Sequence, residues 1–135
     1  MIVLDTHIWV WWVHGERLSP EQLERLSGFE EEGLGVSIFS CWEVAKLVER
    51  GRLKLRRSVA EWFDHALAYP GVQLLELTPE IIIDSTSLPG SFHRDPADEL
   101  IVATARVRRC SLATADKRIL NYEHVETLDF RAPRQ

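Results

Sequence analysis

Short apolar runs alternate with polar, capped segments along the whole chain, beginning with the stretch MIVLDTHIWV. Strands that alternate with helices predict an α/β fold, in which helices cover both faces of a parallel sheet. We therefore expect a three-layer α/β/α arrangement with a central parallel sheet of about five strands. The predicted strands are residues 2–4, 34–38, 72–77, 111–114 and 125–128.

Helix start signals fall between these runs. The sequence Ser19-Pro20-Glu21-Gln22 is a capping box with proline in the first turn, and it predicts a helix that runs to about residue 31. Ser40 with Glu43 is a second capping box. Further helices are predicted to start at Ser58, Thr78-Pro79, Asp95-Pro96 and Asp116.

The bulk composition is that of a globular protein. A chain of 135 residues, with 45% hydrophobic and 27% charged residues, predicts one domain over 1–135, of which 128–135 is a short C-terminal tail. The longest apolar run, residues 8–13, is far shorter than the ~20 residues of a membrane span. We expect a cytoplasmic protein without membrane association. Cys41 and Cys110 lie in apolar surroundings and are expected to be buried free thiols.

Four acids fall where predicted strands end or predicted helices begin. Asp5 follows the first strand, and Asp116 follows the fourth. Glu43 lies in the first turn of the helix after the second strand, and Asp98 lies in the first turn after HRDP. In a parallel α/β sheet, strand C-termini and the following helix starts share one edge, where ligands bind. We therefore expect the four carboxylates to line one crevice.

Each acid by itself also has a purely structural explanation as a helix cap or as a partner of a helix dipole. The group of four is harder to explain in this way. Two carboxylates about 4 Å apart repel each other by ~1–4 kcal/mol at effective dielectric constants of about 80 to 20. A crevice that holds several carboxylates therefore needs raised pKa values or a cation. Oxygen ligands favour Mg²⁺ or Mn²⁺ over zinc.

A divalent ion at this edge indicates phosphate chemistry, in which the metal activates a water molecule as the nucleophile. The sequence contains neither GxxxxGK[ST] nor GxGxxG, so ATP- or NAD-dependent chemistry is not expected.

Four stretches resemble the PIN-domain ribonucleases, and in particular the VapC-type toxins of bacterial toxin–antitoxin pairs. They are MIVLDTHIWVWW, SIFSCWEVAKLVERGRL, HRDPADELIVATA and LATADKRI, and the similarity runs from residue 1 to about residue 128. Their order and spacing are specific, although each is short. The resemblance implies an endoribonuclease that uses Mg²⁺ or Mn²⁺ to activate water and leaves a 5′-phosphate and a 3′-hydroxyl. Its catalytic and metal-binding residues would be Asp5, Glu43, Asp98 and Asp116.

The resemblance also implies accessory residues and partners. Asp95 lies one helical turn before Asp98 and is interpreted as an accessory acid. Thr6 and Thr114 are placed to support the metal ligands. A homodimer is implied, together with a cognate antitoxin that covers the acidic crevice.

The net charge of −5 at pH 7 is unusual for a protein that binds nucleic acid. Four of the acids belong to the proposed metal site, so the rest of the surface is close to neutral. Basic residues also cluster at 50–57 and at 106–109, and we interpret the second group as a solvated face. The candidates for phosphate contacts near the crevice are Lys46, His93, Arg94, Lys117 and Arg118.

Two other functions compete with the ribonuclease hypothesis. A PIN-like scaffold would bind nucleic acid or a protein without cutting, and the intact set of acids argues against it. A phosphatase of the haloacid dehalogenase type needs DxDxT, but His7 stands where its second aspartate would be. His7 itself is interpreted first as a packing residue and second as a substrate contact.

Overall fold

Five parallel strands form one central sheet in the computed structural model, which describes residues 1–132. They are β1 (Ile2–Leu4), β2 (Leu34–Ser37), β3 (Val72–Leu75), β4 (Ser111–Thr114) and β5 (Thr127–Asp129). Their order is β3-β2-β1-β4-β5. The chain therefore adds β2 and β3 on one side of β1, and then crosses over to add β4 and β5 on the other side. The C-terminal ends of β1 and β4 therefore form the topological switch point, where open α/β sheets bind ligands.

Seven helices cover the sheet in the described part of the chain, and the predicted α/β/α architecture is confirmed. They are α1 (Thr6–His14), α2 (Pro20–Ser27), α3 (Ile38–Glu49), α4 (Val59–Ala66), α5 (Pro79–Ser85), α6 (Pro96–Arg108) and α7 (Lys117–Leu120).

Two hydrophobic clusters form the core, one on each face of the sheet. Successive residues of β1 alternate between them, because side chains along a strand point to opposite faces. Ile2 and Leu4 pack in one cluster with Trp9, whereas Val3 packs in the other with Ile101. The first cluster joins β1 and β2 to α1–α4, and the second joins β1, β3 and β4 to α6 and α7.

Two predicted helix boundaries are corrected by the structure. Helix α2 ends at Ser27 instead of near residue 31. The predicted capping box at Ser40 is wrong. Ser37 is extended (φ −67°, ψ 141°) and its hydroxyl accepts the N–H of Phe39, so α3 begins three residues earlier and Ser40 lies inside its first turn.

The C-terminal segment is more ordered than its description as a tail suggests. The last strand starts two residues later than predicted and spans Thr127–Asp129. Phe130, which follows it, is buried in the core. The backbone N–H of Phe130 donates to Thr114 O at 2.9 Å. Residues 128–130 of the predicted tail (128–135) therefore belong to the sheet and the core. Residues 133–135 lie outside the described residues.

Both cysteines are free, as predicted, but only Cys41 is fully buried; Cys110 is half-buried. Burial raises the pKa of Cys41 to about 11. Within residues 1–132, no helix is both long and apolar enough to span a membrane.

Candidate active site

Asp5 stands at the junction of β1 and α1 and is held from two sides. It caps α1 with an extended backbone (φ −61°, ψ 150°), and its Oδ1 accepts the N–H of Thr6 at 2.8 Å. Its Oδ2 accepts the hydroxyl of Thr114, at the end of the adjacent strand β4, at 2.7 Å. The side chain is nearly enclosed, with 7% of the residue exposed. Both carboxylate oxygens are thus fixed before any ligand binds.

Glu43 is fixed by a chain of hydroxyl groups from α1 and α3. Thr6 Oγ1 donates to Glu43 Oε1 at 2.5 Å and lies 2.8 Å from Ser40 Oγ. A hydroxyl group has one proton, so when Thr6 donates to Glu43, Ser40 is the donor to Thr6. Thr6 and Ser40 are fully buried, which leaves this pair no competition from water. Thr6 was predicted to lie near the site, whereas Ser40 was predicted only as a helix cap. Its position one turn before Glu43 could have indicated that Ser40 lies beside this acid.

Asp98 lies one turn into α6, close to two basic side chains. His93 Nε2 is 2.6 Å from Asp98 Oδ2, and Arg118 Nη2 is 3.5 Å from the same oxygen. Asp95 is the N-cap of α6, and its Oδ1 accepts the backbone N–H groups of Ala97 at 2.9 Å and Asp98 at 3.4 Å. Asp95 thereby orients the start of the helix that carries Asp98.

Asp116 follows β4 and caps α7, where its Oδ1 accepts the N–H of Arg118 at 2.8 Å. Its own N–H donates to Thr114 Oγ1 at 3.0 Å. Arg118 Nη2 lies 3.6 Å from Asp116 Oδ2, so this guanidinium stands between Asp98 and Asp116. It is 60% exposed and can turn away from either acid.

The four acids line one cleft of about 460 Å³ at the switch point, as the strand and helix pattern predicted. Asp95 and Arg118 also line it, and so does His7, which is exposed and not the packing residue that was first expected. Trp11 and Arg17 line the cleft as well, and the sequence did not predict the place of either. The guanidinium of Arg17 stands 5.5 Å from the centre of the Trp11 ring. Arg17 has a positive φ of 59°, which the sequence does not reveal. A second cleft of about 460 Å³ surrounds the Arg106–Asp84 ion pair and contains none of the predicted residues.

The remaining candidates for phosphate contacts are distributed around the cleft. Lys46 lies on α3 in an adjoining groove, where Nζ bonds to Glu49 Oε1 at 3.0 Å. Arg94 and Lys117 are exposed, and neither is among the described residues that line the cleft.

Three of the carboxylates have raised pKa values. Burial is the largest cause of the rise at Asp5, Glu43 and Asp98. Repulsion between the acids adds to it, since Asp98 acts on Asp5 and on Glu43. The hydrogen bonds from Thr114, Thr6 and His93 oppose the rise at Asp5, Glu43 and Asp98 respectively. The cleft therefore holds negative charge that neighbouring cations only partly compensate, which is the electrostatic setting of a cation site.

The acids do not form a ready-made cage. Within residues 1–132, no three His, Cys, Asp or Glu side chains are grouped closely enough to hold a metal ion by themselves. A Mg²⁺ ion keeps several of its waters and is usually held by one or two carboxylates together with substrate phosphates. The carboxylate oxygens of this cleft suit such an ion.

Comparison with known proteins gives three findings. The PIN domain family model matches residues 2–125. Ribonuclease VapC22 of Mycobacterium tuberculosis is 33% identical over 124 residues, which cover 91% of this chain and 92% of that protein. The solved structure of VapBC2 from Rickettsia felis, bound to a DNA fragment from its promoter, has a TM-score of 0.71 at 14% identity and covers 96% of this chain and 99% of its own.

A toxin–antitoxin complex from Klebsiella pneumoniae has a TM-score of 0.67 at 18% identity, and the match covers 95% of this chain and 96% of that one. Similarity to solved structures at such low identity establishes the fold alone.

Proposed function

The chain belongs to the PIN-domain family, and from this premise we propose that it is a metal-dependent endoribonuclease, the toxin of a toxin–antitoxin pair. The observation that carries the proposal is the meeting of Asp5, Glu43, Asp98 and Asp116 at one cleft on the switch point of the sheet. RNA is the proposed substrate because the relative that is 33% identical is named a ribonuclease.

Mg²⁺ or Mn²⁺ is the proposed cofactor. When bound, the ion supplies a Lewis acid for the phosphate and lowers the pKa of a water that attacks it. Asp5 and Glu43 are the best-fixed candidate ligands, because hydroxyl groups already orient their oxygens. Asp98 and Asp116 are the other two candidate ligands, and Arg118 stands between them.

The protein's own groups have separate tasks in this proposal. Thr114 and Thr6 hold the carboxylates of Asp5 and Glu43 in the rotamers that face the cleft. Arg118 can leave the acids and bind a substrate phosphate, since its side chain is mostly exposed. His93 holds the carboxylate of Asp98 in place, since its Nε2 lies 2.6 Å from Asp98 Oδ2. In this proposal water attacks the phosphorus and the P–O3′ bond breaks, so that the departing 3′ oxygen takes up a proton and the products carry a 5′-phosphate and a 3′-hydroxyl.

A non-catalytic scaffold is the second candidate function. Two observations favour it: no three acids are grouped as a metal cage in residues 1–132, and Asp98 is engaged by His93 and Arg118. Such a protein would bind RNA or a partner in the cleft and leave the RNA intact.

A cognate antitoxin is the proposed protein partner, since two of the structural relatives are toxin–antitoxin complexes. Basic side chains of such a partner would complement the acidic cleft. A homodimer is also proposed, and the exposed apolar side chains of Ile82 and Ile83 on α5 are compatible with a covered surface. The proposed site of action is the cytoplasm.

The deciding experiment incubates the purified protein with labelled single-stranded and transfer RNA in Mg²⁺, in Mn²⁺ and in EDTA. We expect cleavage that requires metal and is lost in Asp5→Asn, because asparagine still caps α1 but carries no charge. The matched control is Asp64→Asn, an exposed acid of α4, which should cut like the wild type. If the wild type binds RNA but leaves it intact under every metal condition, the scaffold is the function.

A further inference from the structure

A groove lined by basic side chains leads away from the acidic cleft between α1 and α3. It has a volume of about 140 Å³, and its walls include Trp42, Lys46, Arg50 and Arg52. His7 and Glu43 line both this groove and the acidic cleft, so the two are continuous. A chain held at the acids can therefore extend into the groove.

Helical geometry explains the regular spacing of these charges. Glu43, Lys46 and Arg50 stand at positions i, i+3 and i+7, which share one face of α3. Along the helix axis, Lys46 lies about 4.5 Å from Glu43 and Arg50 lies about 10.5 Å from it. Arg50 and Arg52 are exposed, and neither forms an ion pair with a residue in the described part of the chain. Lys46 is shared between Glu49 and the ring of Trp42, 5.8 Å away.

A larger cavity is lined by residues that follow Arg52 closely in the chain, beginning with Lys54. It has a volume of about 380 Å³ and lies between the end of α1, the segment that joins α3 to α4, and α4 itself. That segment contributes Lys54, Arg56 and Arg57, whereas Glu16 is the one acid among the described residues that line the cavity. Trp62 Nε1 donates to His14 Nε2 at 2.9 Å, which fixes one wall.

We propose that six basic residues form a track that binds the backbone of a single-stranded RNA extending from the cleft. The track consists of Lys46, Arg50, Arg52, Lys54, Arg56 and Arg57. This inference rests on the proposed function, and it makes substrate affinity depend on RNA several nucleotides to one side of the cut.

Charge and exposure favour RNA as the occupant. The six cations of the track lie within residues 46–57, where Glu49 is the only acid, so this stretch attracts a polyanion although the chain as a whole carries a net charge of −5. Trp42 is 53% exposed at the cleft end of the groove and offers an aromatic ring on which a base can stack. Phosphates at successive positions would meet cations in turn along α3 and the following segment.

The test measures RNA affinity in an Asp5→Asn background, where the RNA stays intact. Two variants remove charge from the track, Arg50→Gln/Arg52→Gln and Arg56→Gln/Arg57→Gln. The control, Arg108→Gln/Arg109→Gln, removes the same charge at the far end of α6. Fluorescence anisotropy then compares a labelled trinucleotide with a labelled RNA of about 12 nucleotides, a length typical of single-strand sites.

We expect each track variant to weaken binding of the long RNA roughly tenfold, the value of two partly exposed ion pairs. The binding constant K should also depend less steeply on salt. The size of the slope of log K against log salt concentration should decrease by about 1.4 for two lost phosphate contacts on a single strand. Affinity for the trinucleotide should not change, and the control should match the background protein in every measurement. Circular dichroism of each variant checks that the fold is intact.

The inference is overturned if the track variants bind the long RNA as the control does. A labelled polyglutamate peptide provides the other arm: loss of peptide binding with unchanged RNA binding assigns the track to an acidic protein segment and overturns the proposal. Cleavage by the otherwise wild-type protein is scored separately. If the protein cuts RNA but the track variants bind the long RNA as the control does, the basic track is excluded and the ribonuclease function stands. If the track variants weaken RNA binding but the protein cuts no RNA, the ribonuclease function is excluded and the basic track stands.

Discussion

Thr114 donates its hydroxyl to Asp5 Oδ2 at 2.7 Å, across 109 positions of the chain, and accepts the backbone N–H of Asp116 at 3.0 Å. One buried hydroxyl thus links two of the four acids. The link exists because β1 and β4 are neighbours in the sheet, with Leu4 paired to Ala113. Residues that follow these strands are brought together at the switch point.

Thr114→Val tests this link through the pH dependence of cleavage. Burial raises the pKa of Asp5, and the hydrogen bond from Thr114 opposes that rise. Without the hydroxyl the pKa rises further, so Asp5 is charged only at higher pH. We expect the acid limb of kcat/KM to move up by about one to two pH units, the value of one hydrogen bond to a charged group. Thr104→Val is the control, since the buried Thr104 bonds to Leu100 O in its own helix; an equal shift in both variants contradicts the prediction.

Glu43→Gln should stabilise the metal-free protein while removing activity. The folded-state pKa of Glu43 is raised, mainly by burial, so the folded protein binds this proton more tightly than the unfolded chain does. Stability contributed by the protonated group is present below the unfolded pKa, about 4.3, and is lost as pH rises through the higher folded pKa. Glutamine does not titrate and can still accept from Thr6. Urea unfolding in EDTA should therefore show the variant more stable at pH 7.5 and the gain gone at pH 4. Glu24→Gln, an exposed acid of α2, should show neither effect.

Divalent ions should stabilise the wild-type protein against heat. A ligand that binds only the folded state adds about 2.7 kcal/mol at a hundred times its Kd. Asp98→Asn should lose most of the rise in melting temperature that Mg²⁺ or Mn²⁺ produces, because it removes one candidate ligand and part of the local negative charge. Asp64→Asn should keep the full rise. An unchanged response in Asp98→Asn would exclude Asp98 from the cation site.

Arg118→Gln should weaken substrate binding more than the chemical step. The guanidinium stands 3.5 Å from Asp98 and 3.6 Å from Asp116, and the backbone N–H that Asp116 caps remains in the variant. We expect a rise in KM of about tenfold or less with a smaller change in kcat, as for a partly exposed phosphate contact. Steady-state cleavage checks this beside Arg108→Gln. A fall in kcat at constant KM would instead give Arg118 a part in the chemical step.

Trp9→Phe and Trp62→Phe form a matched pair in the core. Trp9 is fully buried, and its indole N–H is without a hydrogen-bond partner among the described residues. Trp62 packs edge-on against Trp9, with ring centres 4.9 Å apart, and donates to His14. Phenylalanine removes an unpaired donor at the first site and a bonded donor at the second. We expect Trp9→Phe to be less destabilising than Trp62→Phe by about 1–2 kcal/mol in urea unfolding; the opposite order would show that lost packing outweighs the orphaned donor.

The alternation of apolar runs and helix signals was sufficient to predict the α/β/α fold and the shared edge of the four acids. Parallel strands and right-handed crossovers leave few other arrangements. Three carboxylate positions followed because Asp5 and Asp116 lie just after strands and Asp98 lies in the first turn of a helix. Glu43 lies in the second turn of α3 and not, as predicted, in the first, because α3 begins at Ile38. The metal and the roles of the acids stay predictions. The start of α3 was predicted three residues late, because Ser37 and Ser40 are equally good caps and the strand before them decides which one is used.

The residue types at strand ends and helix starts can be identified in the amino-acid sequence, since those signals are local and act within one or two turns. The pairing of hydroxyls with carboxylates depends on the folded arrangement: Thr6 meets Glu43 and Ser40, and Thr114 meets Asp5. The same holds for the groove that joins Lys46 and Arg50 to the acids. These contacts depend on the order of strands across the sheet and on how α1 packs on α3. Both are set by burial of the whole apolar surface rather than by any short stretch of chain.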